Sequence, residues 1–318
     1  LHFYFLAGAD FVLGPDADYK VRNVFGIIQA NPDLAKKVVQ ARYLGQKISE
    51  VVGGKALHPV AAVVGGFGKP LTKEEKDEVQ KMAQECLEFA KFSMDFAKQN
   101  IFPKYLDMVK TLGVIKTGFL GTVTEDGALN LYDGKLRMMQ ADGSYEDFTS
   151  DKYLDYIAEE VEPWTYLKFP YYKKAGKIIL DPDNPVGVYR VNALARMNVV
   201  DNIPTPLAQK ELEEFRKMFG RPAQPTLLYH WGRLIELLYV AERAIQLLED
   251  SEITNLNVRV ACKPQAGRGV GVVEAPRGTL FHDYETDENG MAKDVNLIVA
   301  TGQNNAAMNL AVKKAAIQ

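Results

Sequence analysis

The pattern of apolar and polar residues predicts long helices in the first third of the chain. The segment 31–54 opens with Asn-Pro-Asp, which supplies an N-cap, a first-turn proline and an acid suited to the helix dipole, and it ends on two glycines. Between them, apolar residues recur at helical spacing: Leu34, Val38, Ala41, Leu44 and Ile48. Thr72 and Glu75 have the spacing of a capping box, which predicts a second long helix that breaks or kinks at Pro103.

The pattern changes near residue 113. Between residues 113 and 149, three Asp-Gly dipeptides separate short stretches such as GFLGTV and ALNLY, which is typical of successive β-hairpins. We expect a short helix at residues 153–161 and an aromatic loop at residues 164–172. The remaining predicted elements are helices at 206–219 and 226–248, strands in NVRVAC, GVVEAP and DVNLIVAT, and a helix at the end of the chain.

These elements indicate an α+β fold that is mainly α, with a core of long helices and small antiparallel sheets attached. Regular βαβ alternation and internal repeats are missing from the sequence, which argues against a doubly wound sheet. We expect a single domain over residues 1–318, with residues 113–149 as a β-hairpin subregion. The chain starts inside the apolar run LHFYFLAGADFVLG and stops inside a helix-forming segment. We therefore expect it to be truncated at both ends.

Composition and charge narrow the class of protein. The hydrophobic fraction is 47% and the charged fraction 25%, and no apolar run approaches the roughly 20 residues of a membrane span. We therefore expect a soluble protein without such a span. The 38 basic and 41 acidic residues give a net charge of -3, which offers no electrostatic reason to bind nucleic acid. Cys86 and Cys262 are far apart in sequence, which is compatible with a reducing compartment.

The densest group of candidate chemical residues lies in GRGVGVVEAPRGTLFHDY, residues 267–284. Its glycines do not have GxGxxG spacing and no GK[ST] follows, so a nucleotide site has little support. Arg277 is more informative, because Pro276 restricts the backbone before it and Gly278 permits close approach after it. A guanidinium held in this way can bind an anion. The alternative from the residues alone is a buried ion pair between Arg277 and Glu274.

Three further positions could carry chemistry. Asp10 lies in an apolar stretch, where burial would require a cationic partner, and a remote arginine would meet that need. His58 lies in the loop-like segment GGKALHPVAAVVGGFG, where a structural role is as plausible as a functional one. His282, with Asp283 and Glu285 nearby, has no spacing that recommends a metal site. A serine nucleophile elbow is also missing from the sequence.

Four segments, in order, resemble the large subunit of the nickel-dependent [NiFe]-hydrogenases. LHFYFLAGADF resembles the stretch that follows the first CxxC motif of that family, and GGKALHPVAAVVGG resembles its glycine-histidine-proline segment. VVEAPRGTLFHDY is similar to the EAPRG motif, the most specific of the set, and NLIVATGQNN to the strand and turn beyond it. The resemblance extends over essentially the whole chain. It favours a functional role for Arg277 over the ion pair.

The resemblance implies reversible oxidation of H2 to protons and electrons at a nickel-iron centre whose iron carries one carbon monoxide and two cyanides. By motif position, Arg277 would lie over the bridging site, Asp10 would pair with it, and Pro276 would line the same canopy. Ala300 and Thr301 match a cofactor-facing segment in which the threonine hydroxyl bonds a cyanide. Polarisation of a bound ligand suits Arg277 better than proton transfer, because the guanidinium pKa is so high. A role for Arg277 as a base stays open.

The resemblance also implies partners. His58 matches a position near the iron-sulfur cluster of a small subunit, which suggests an interface role, while His282 would be structural or support the site indirectly. The chain looks most like the soluble, cytoplasmic, methyl-viologen-reducing hydrogenases of methanogens. Those enzymes imply an iron-sulfur small subunit, with possible further electron-transfer subunits such as heterodisulfide reductase. Neither nucleic acid nor a membrane span is expected.

One departure from the family pattern is large. The family binds its metals through two CxxC motifs, and the sequence contains neither; Cys86 and Cys262 do not match those positions. Soft thiolates suit these metals, and nothing visible in the sequence replaces them. Two explanations compete: truncation to the part of the chain between the two motifs, or a metal-free structural or coupling subunit of a redox complex. We expect the 318-residue chain alone to be inactive.

Overall fold

The computed structural model describes residues 3–318, and their contacts divide into two compact units. The first unit consists of the chain up to Tyr105 together with Arg233–Lys263. The second unit consists of Leu106–Gly232 together with Pro264–Gln318. Each unit is assembled from two separate stretches of chain, and the single domain expected over residues 1–318 stays a prediction.

Helices provide most of the regular structure. The α-helices are α1 (Gly8–Leu13), α2 (Val24–Ala30), α3 (Pro32–Gly53), α4 (Lys73–Asn100), α5 (Phe102–Thr111), α6 (Tyr153–Tyr156), α7 (Ala193–Val199), α8 (Pro206–Phe219), α9 (Tyr229–Glu249) and α10 (Asn305–Ile317). The strands are β1 (Ala62–Val63), β2 (Gly66–Phe67), β3 (Gly118–Val123), β4 (Lys135–Met139), β5 (Tyr145–Phe148), β6 (Ile157–Val161), β7 (Lys168–Tyr172), β8 (Tyr189–Arg190), β9 (Gly267–Ala275), β10 (Gly278–Thr286) and β11 (Ala292–Ile298). The predicted fold class, α+β and mainly α with small sheets, is confirmed.

The first unit is helical, and its helix ends follow from local sequence. The Asn31 side chain accepts a hydrogen bond from the Leu34 amide at 3.0 Å and caps α3, which ends before a left-handed glycine. Thr72 and Glu75 form the predicted capping box of α4. The predicted break also occurs, because α4 ends at Asn100 and α5 starts one residue before Pro103. A core cluster at the α3–α4 interface contains Leu44, Val79, Met82, Ala83 and Leu248.

The second unit contains two sheets that matter for the candidate site. One has strand order β5-β4-β3-β8, in which β3, β4 and β5 pair antiparallel within the region predicted to form hairpins. The other is antiparallel, with order β11-β10-β9. Their shared core cluster includes Leu120 from β3 and Phe281 from β10. Helix α7, all of whose residues are buried, packs against β3.

Three local predictions were wrong. Residues 153–161 form only one helical turn before β6, and the expected aromatic loop contains β7, with which β6 pairs from Ile157↔Tyr172 to Val161↔Lys168. This pairing partner is what favours the strand over continuation of the helix. NVRVAC forms only an isolated bridge from Arg259 to Gly66, since most of its residues are exposed and it has no face to bury.

Within residues 3–318, the longest and most apolar helices still fall short of what a membrane crossing requires.

Candidate functional site

The predicted Pro276-Arg277-Gly278 element is the tip of a tight hairpin. Strands β9 and β10 pair through Ala275↔Gly278, which leaves Pro276 and Arg277 as the two residues of the turn. Gly278 has a φ of +128°, and a Cβ placed on it would lie 2.6 Å from Cβ of Val191. Only glycine therefore fits at this position, as the close-approach argument from the sequence anticipated.

A buried ion pair lies directly beneath the turn. Nη1 of Arg196, on α7, donates to Oε2 of Glu274 at 2.6 Å, and their side chains are 2% and 0% exposed. The other carboxylate oxygen of Glu274 accepts from the Thr122 amide at 3.0 Å and from the Thr279 hydroxyl at 2.7 Å. Glu274 thus pairs with Arg196, and the alternative of a buried Arg277–Glu274 pair is wrong. Arg277 is exposed.

Thr301 reaches the same end of this sheet. In the β10–β11 ladder Phe281 lies opposite Ile298, so residues 299–301 continue along β10 toward the hairpin tip. Ala300 is 4% exposed, whereas Thr301 is exposed and begins a short 3-10 turn over Gly302–Asn304. Thr301 therefore follows β11 toward the end of the sheet at which the Pro276-Arg277 turn lies.

Two side-chain amides fix the turn that follows Thr301. Gln303 donates to the Thr279 carbonyl of β10 and accepts from the Tyr189 hydroxyl at 2.7 Å. The Asn304 side chain accepts from the Val191 amide at 2.9 Å. These contacts tie the end of β11 to the backbone that also carries the hairpin tip.

The resulting edge offers unused hydrogen-bond donors. Among the described residues of its own unit, Arg277 forms no hydrogen bond or ion pair, and the Thr301 hydroxyl has no hydrogen-bond partner. A guanidinium and a hydroxyl at one site suit an anionic or strongly dipolar ligand, because each can donate without first losing an internal partner. The arrangement can bind and polarise such a ligand.

Asp10 lies at the surface of its own unit. Its side chain lies on α1, is 55% exposed, and pairs with Nε of Arg22 at 3.4 Å. The apolar neighbours in its helix do not enclose the carboxylate. Asp10 belongs to the first unit and Arg277 to the second, so their pairing stays a prediction.

The two candidate histidines occupy exposed and partly buried positions. His58 is exposed and has a φ of +52°, which is uncommon for a residue other than glycine. Its loop is held where the Val60 and Ala61 amides donate to the Gly53 carbonyl at 2.8 and 3.0 Å. His282, on β10, lies with Nδ1 3.4 Å from the Tyr284 hydroxyl, and the two rings stack. The interface role of His58 stays a prediction, and His282 has the surroundings of a structural residue.

Metal ligation is not provided by the described residues. Cys86 is half-buried on α4, and burial raises the pKa of its thiol, with the Glu85 charge adding to the effect. Cys262 is exposed. Across residues 3–318, no group of three or more His, Cys, Asp or Glu side chains is placed to hold a metal ion. Residues 3–318 therefore do not supply the thiolate ligands of a nickel-iron centre. The donors of Arg277 and Thr301 suit the anionic ligands that such a centre carries.

Sequence reasoning missed the residues that support the site. Arg196 lies in the run ALARMN, and a charge in so apolar a helix should have indicated a buried carboxylate partner. Gln303 and Asn304 lie within the ATGQNN segment, but their contacts to Tyr189, Val191 and Thr279 depend on the tertiary arrangement. Local spacing gives no signal for such long-range bonds.

The chain is similar in sequence to hydrogenase subunits. No family model matches the chain. One component of the F420-non-reducing hydrogenase vhu of Methanocaldococcus jannaschii is 50% identical over 317 residues, which are 99% of this chain and 74% of that protein. The beta subunit of the NAD-reducing hydrogenase HoxS of Cupriavidus necator is 37% identical over 324 residues, covering 99% of this chain and 65% of that one.

Solved structures give the same result. A chain of an NAD+-reducing [NiFe]-hydrogenase in the H2-reduced state superimposes with a TM-score of 0.91 and 37% identity, over 99% of this chain and 69% of that chain. The [NiFeSe]-hydrogenase of Dm. baculatum shares the fold. It superimposes with a TM-score of 0.74 and 20% identity, over 96% of this chain and 69% of that chain. With relatives this similar over nearly its whole length, the chain belongs to the large-subunit family of the [NiFe]-hydrogenases.

Proposed function

We propose that this chain forms the central part of a hydrogenase large subunit, in which Arg277 and Thr301 face the ligands of the nickel-iron group. The observation that supports the proposal is the strand register, because β9, β10 and β11 lead both residues toward the same end of the sheet, where both are exposed. The reaction is the reversible oxidation of H2 to protons and electrons. When bound, the nickel-iron group supplies the place where H2 is split.

The roles of the residues follow from their chemistry. Arg277 donates into the site from a rigid turn and polarises a bound ligand, and this requires no rearrangement when charge develops. It is a poor proton acceptor, because the guanidinium pKa is far above neutral pH. Thr301 donates a hydrogen bond to an anionic ligand such as cyanide. Pro276 and Ala300 line the same edge, and Asp10 pairs with Arg277 in the assembled protein.

Partners are proposed from the relatives. The similar proteins of M. jannaschii and C. necator are named as subunits of their hydrogenases, which supports assembly of this chain with an iron-sulfur small subunit. We place His58 at that interface, because its exposed loop adopts a strained backbone conformation. The 50% identity favours the cytoplasmic, methanogen type of enzyme, with heterodisulfide reductase as an electron-accepting partner.

A second candidate is a metal-free subunit with a structural or coupling role. It is favoured by the missing ligand set among residues 3–318. Similarity over 99% of the chain to a subunit of an F420-non-reducing hydrogenase favours the enzyme. For the enzyme, the thiolate ligands must come from outside these 318 residues.

Metal analysis separates the two candidates. The intact gene product should be purified without oxygen together with its partner subunit, and its nickel content and H2-dependent reduction of methyl viologen measured. The proposal predicts stoichiometric nickel and dye reduction. A complex that forms normally but contains no nickel would establish the metal-free alternative. The 318-residue chain alone should reduce no dye.

A further inference from the structure

We propose that the buried Arg196–Glu274 pair positions Arg277. This inference rests on the proposed function of the hairpin tip. Arg196 acts on the turn through its backbone. Its guanidinium donates to the carbonyl oxygens of Ala275 and Pro276, at 3.2 and 3.3 Å. These are the two residues directly before Arg277, so the pair holds the backbone that carries it.

The contacts of Glu274 anchor this device from the other side. One carboxylate oxygen accepts from the Thr122 amide on β3 and the Thr279 hydroxyl on β10, and the other accepts from Arg196 on α7. Two strands and one helix therefore converge on a single buried carboxylate. Any tilt of the hairpin tip would break several charge-assisted hydrogen bonds in a dry environment, where each is expensive to lose.

The pair also determines which polar groups the tip can present. Carbonyl oxygens in a two-residue turn ordinarily face water and would repel an anionic ligand. Here the carbonyls of Ala275 and Pro276 are directed at Arg196, which is 2% exposed and lies beneath the turn. The outer surface of the tip is left with the guanidinium of Arg277. We infer that the buried pair provides this one-sided polarity in addition to its contribution to stability.

The test uses the intact hydrogenase that contains this chain, with three variants. Glu274→Gln keeps an oxygen acceptor for Thr122 and Thr279 but removes the charge that holds Arg196. The double variant Arg196→Met with Glu274→Gln removes both charges and leaves no uncompensated cation, so that the protein folds even where the single variant does not. Asp283→Asn is the matched control, because it breaks a second arginine-carboxylate pair on the same sheet, away from the turn.

For each variant, the melting temperature, H2-dependent dye reduction and infrared cyanide bands are measured. The positioning role predicts that the double variant folds and binds nickel but loses about 10- to 100-fold in turnover, with displaced cyanide bands, as expected for residues that orient an active group. Asp283→Asn should keep both properties. In an Arg277→Lys background, Glu274→Gln should cause little further loss of turnover, because both changes act through the same guanidinium.

Two results would overturn the inference. One is a double variant with wild-type turnover and unshifted bands; the other is a control variant that loses turnover and shifts the bands as much as the double variant. Failure of the proposed function is distinguishable, because it would be seen in the wild-type protein as missing nickel and missing cyanide bands. That outcome would overturn the inference along with the proposed function.

Discussion

Arg268 on β9 donates to both carboxylate oxygens of Asp283 on β10, with Nε 2.8 Å from Oδ1 and Nη2 2.6 Å from Oδ2. The Tyr153 hydroxyl donates to the same carboxylate at 2.8 Å, and the Asn296 side chain donates to that hydroxyl at 2.8 Å. This network joins strands β9, β10 and β11 to helix α6. It stabilises the sheet that carries the candidate site without contributing to the site edge itself.

The network makes folding stability depend on pH in acid. The hydrogen bonds from Arg268 hold the pKa of Asp283 below its ordinary value, against the opposing effect of burial. A carboxylate with a depressed folded pKa contributes stability above its unfolded pKa of about 3.9, and this contribution is lost as pH falls through the folded value. We therefore expect the free energy of unfolding of Asp283→Asn to fall less than that of wild type between about pH 5 and pH 2.

Denaturant unfolding across this pH range checks the prediction. Arg268→Gln is a second test variant, because it removes the charge that lowers the pKa of Asp283 and keeps the Asp283 carboxylate. Its curve should be flatter than wild type in the same window. Parallel curves for wild type and both variants would show that the pair adds nothing to the acid dependence.

Gly278 gives a prediction about backbone geometry. With a φ of +128° and no room for a Cβ beside Val191, Gly278→Ala should destabilise the folded chain by about 2 kcal/mol or more. Gly271 on β9 is the matched control, because a Cβ placed there meets no atom within 4 Å. Thermal unfolding should therefore show a large loss for Gly278→Ala and a small change for Gly271→Ala. Equal effects would contradict the close approach of the two segments.

The parts of the fold that sequence could predict are those that local chemistry decides. The Asn31 cap and the glycines after α3 fix its ends within one segment, and Pro103 breaks the next helix in the same way. The hairpin of β6 and β7 was missed, because the helical start at Tyr153 gives way to strand pairing with a segment more than ten residues away.

In the candidate site too, local features could be predicted from the sequence and long-range contacts could not. Pro276-Arg277-Gly278 could be recognised as a rigid element from its sequence. By contrast, the partner of Glu274 could not be identified, since Arg196 is 78 positions away and Arg277 was the nearer candidate. The exposure of Asp10 could not be decided from the sequence, because an apolar neighbourhood in sequence does not ensure enclosure in space.

Thr301 allows the hydroxyl to be tested apart from the fold. Thr301→Val keeps the shape and removes the donor, and the side chain is exposed, so stability should change by no more than about 0.5 kcal/mol. In the intact hydrogenase, loss of one hydrogen bond to a charged ligand should shift a cyanide band and reduce turnover by about tenfold. Thr301→Ser should retain both properties. Unchanged cyanide bands in the valine variant would remove Thr301 from the site.

The most direct test of the central claim is Arg277→Lys in the intact, nickel-containing hydrogenase. Lysine keeps the positive charge, so assembly and nickel content should stay near wild type. It cannot reproduce the planar fork of donors of the guanidinium. H2-dependent dye reduction should fall by roughly two orders of magnitude or more, the loss typical when a preorganised donor is removed. A purified variant with full nickel and near wild-type turnover would contradict the assignment of Arg277 to the mechanism.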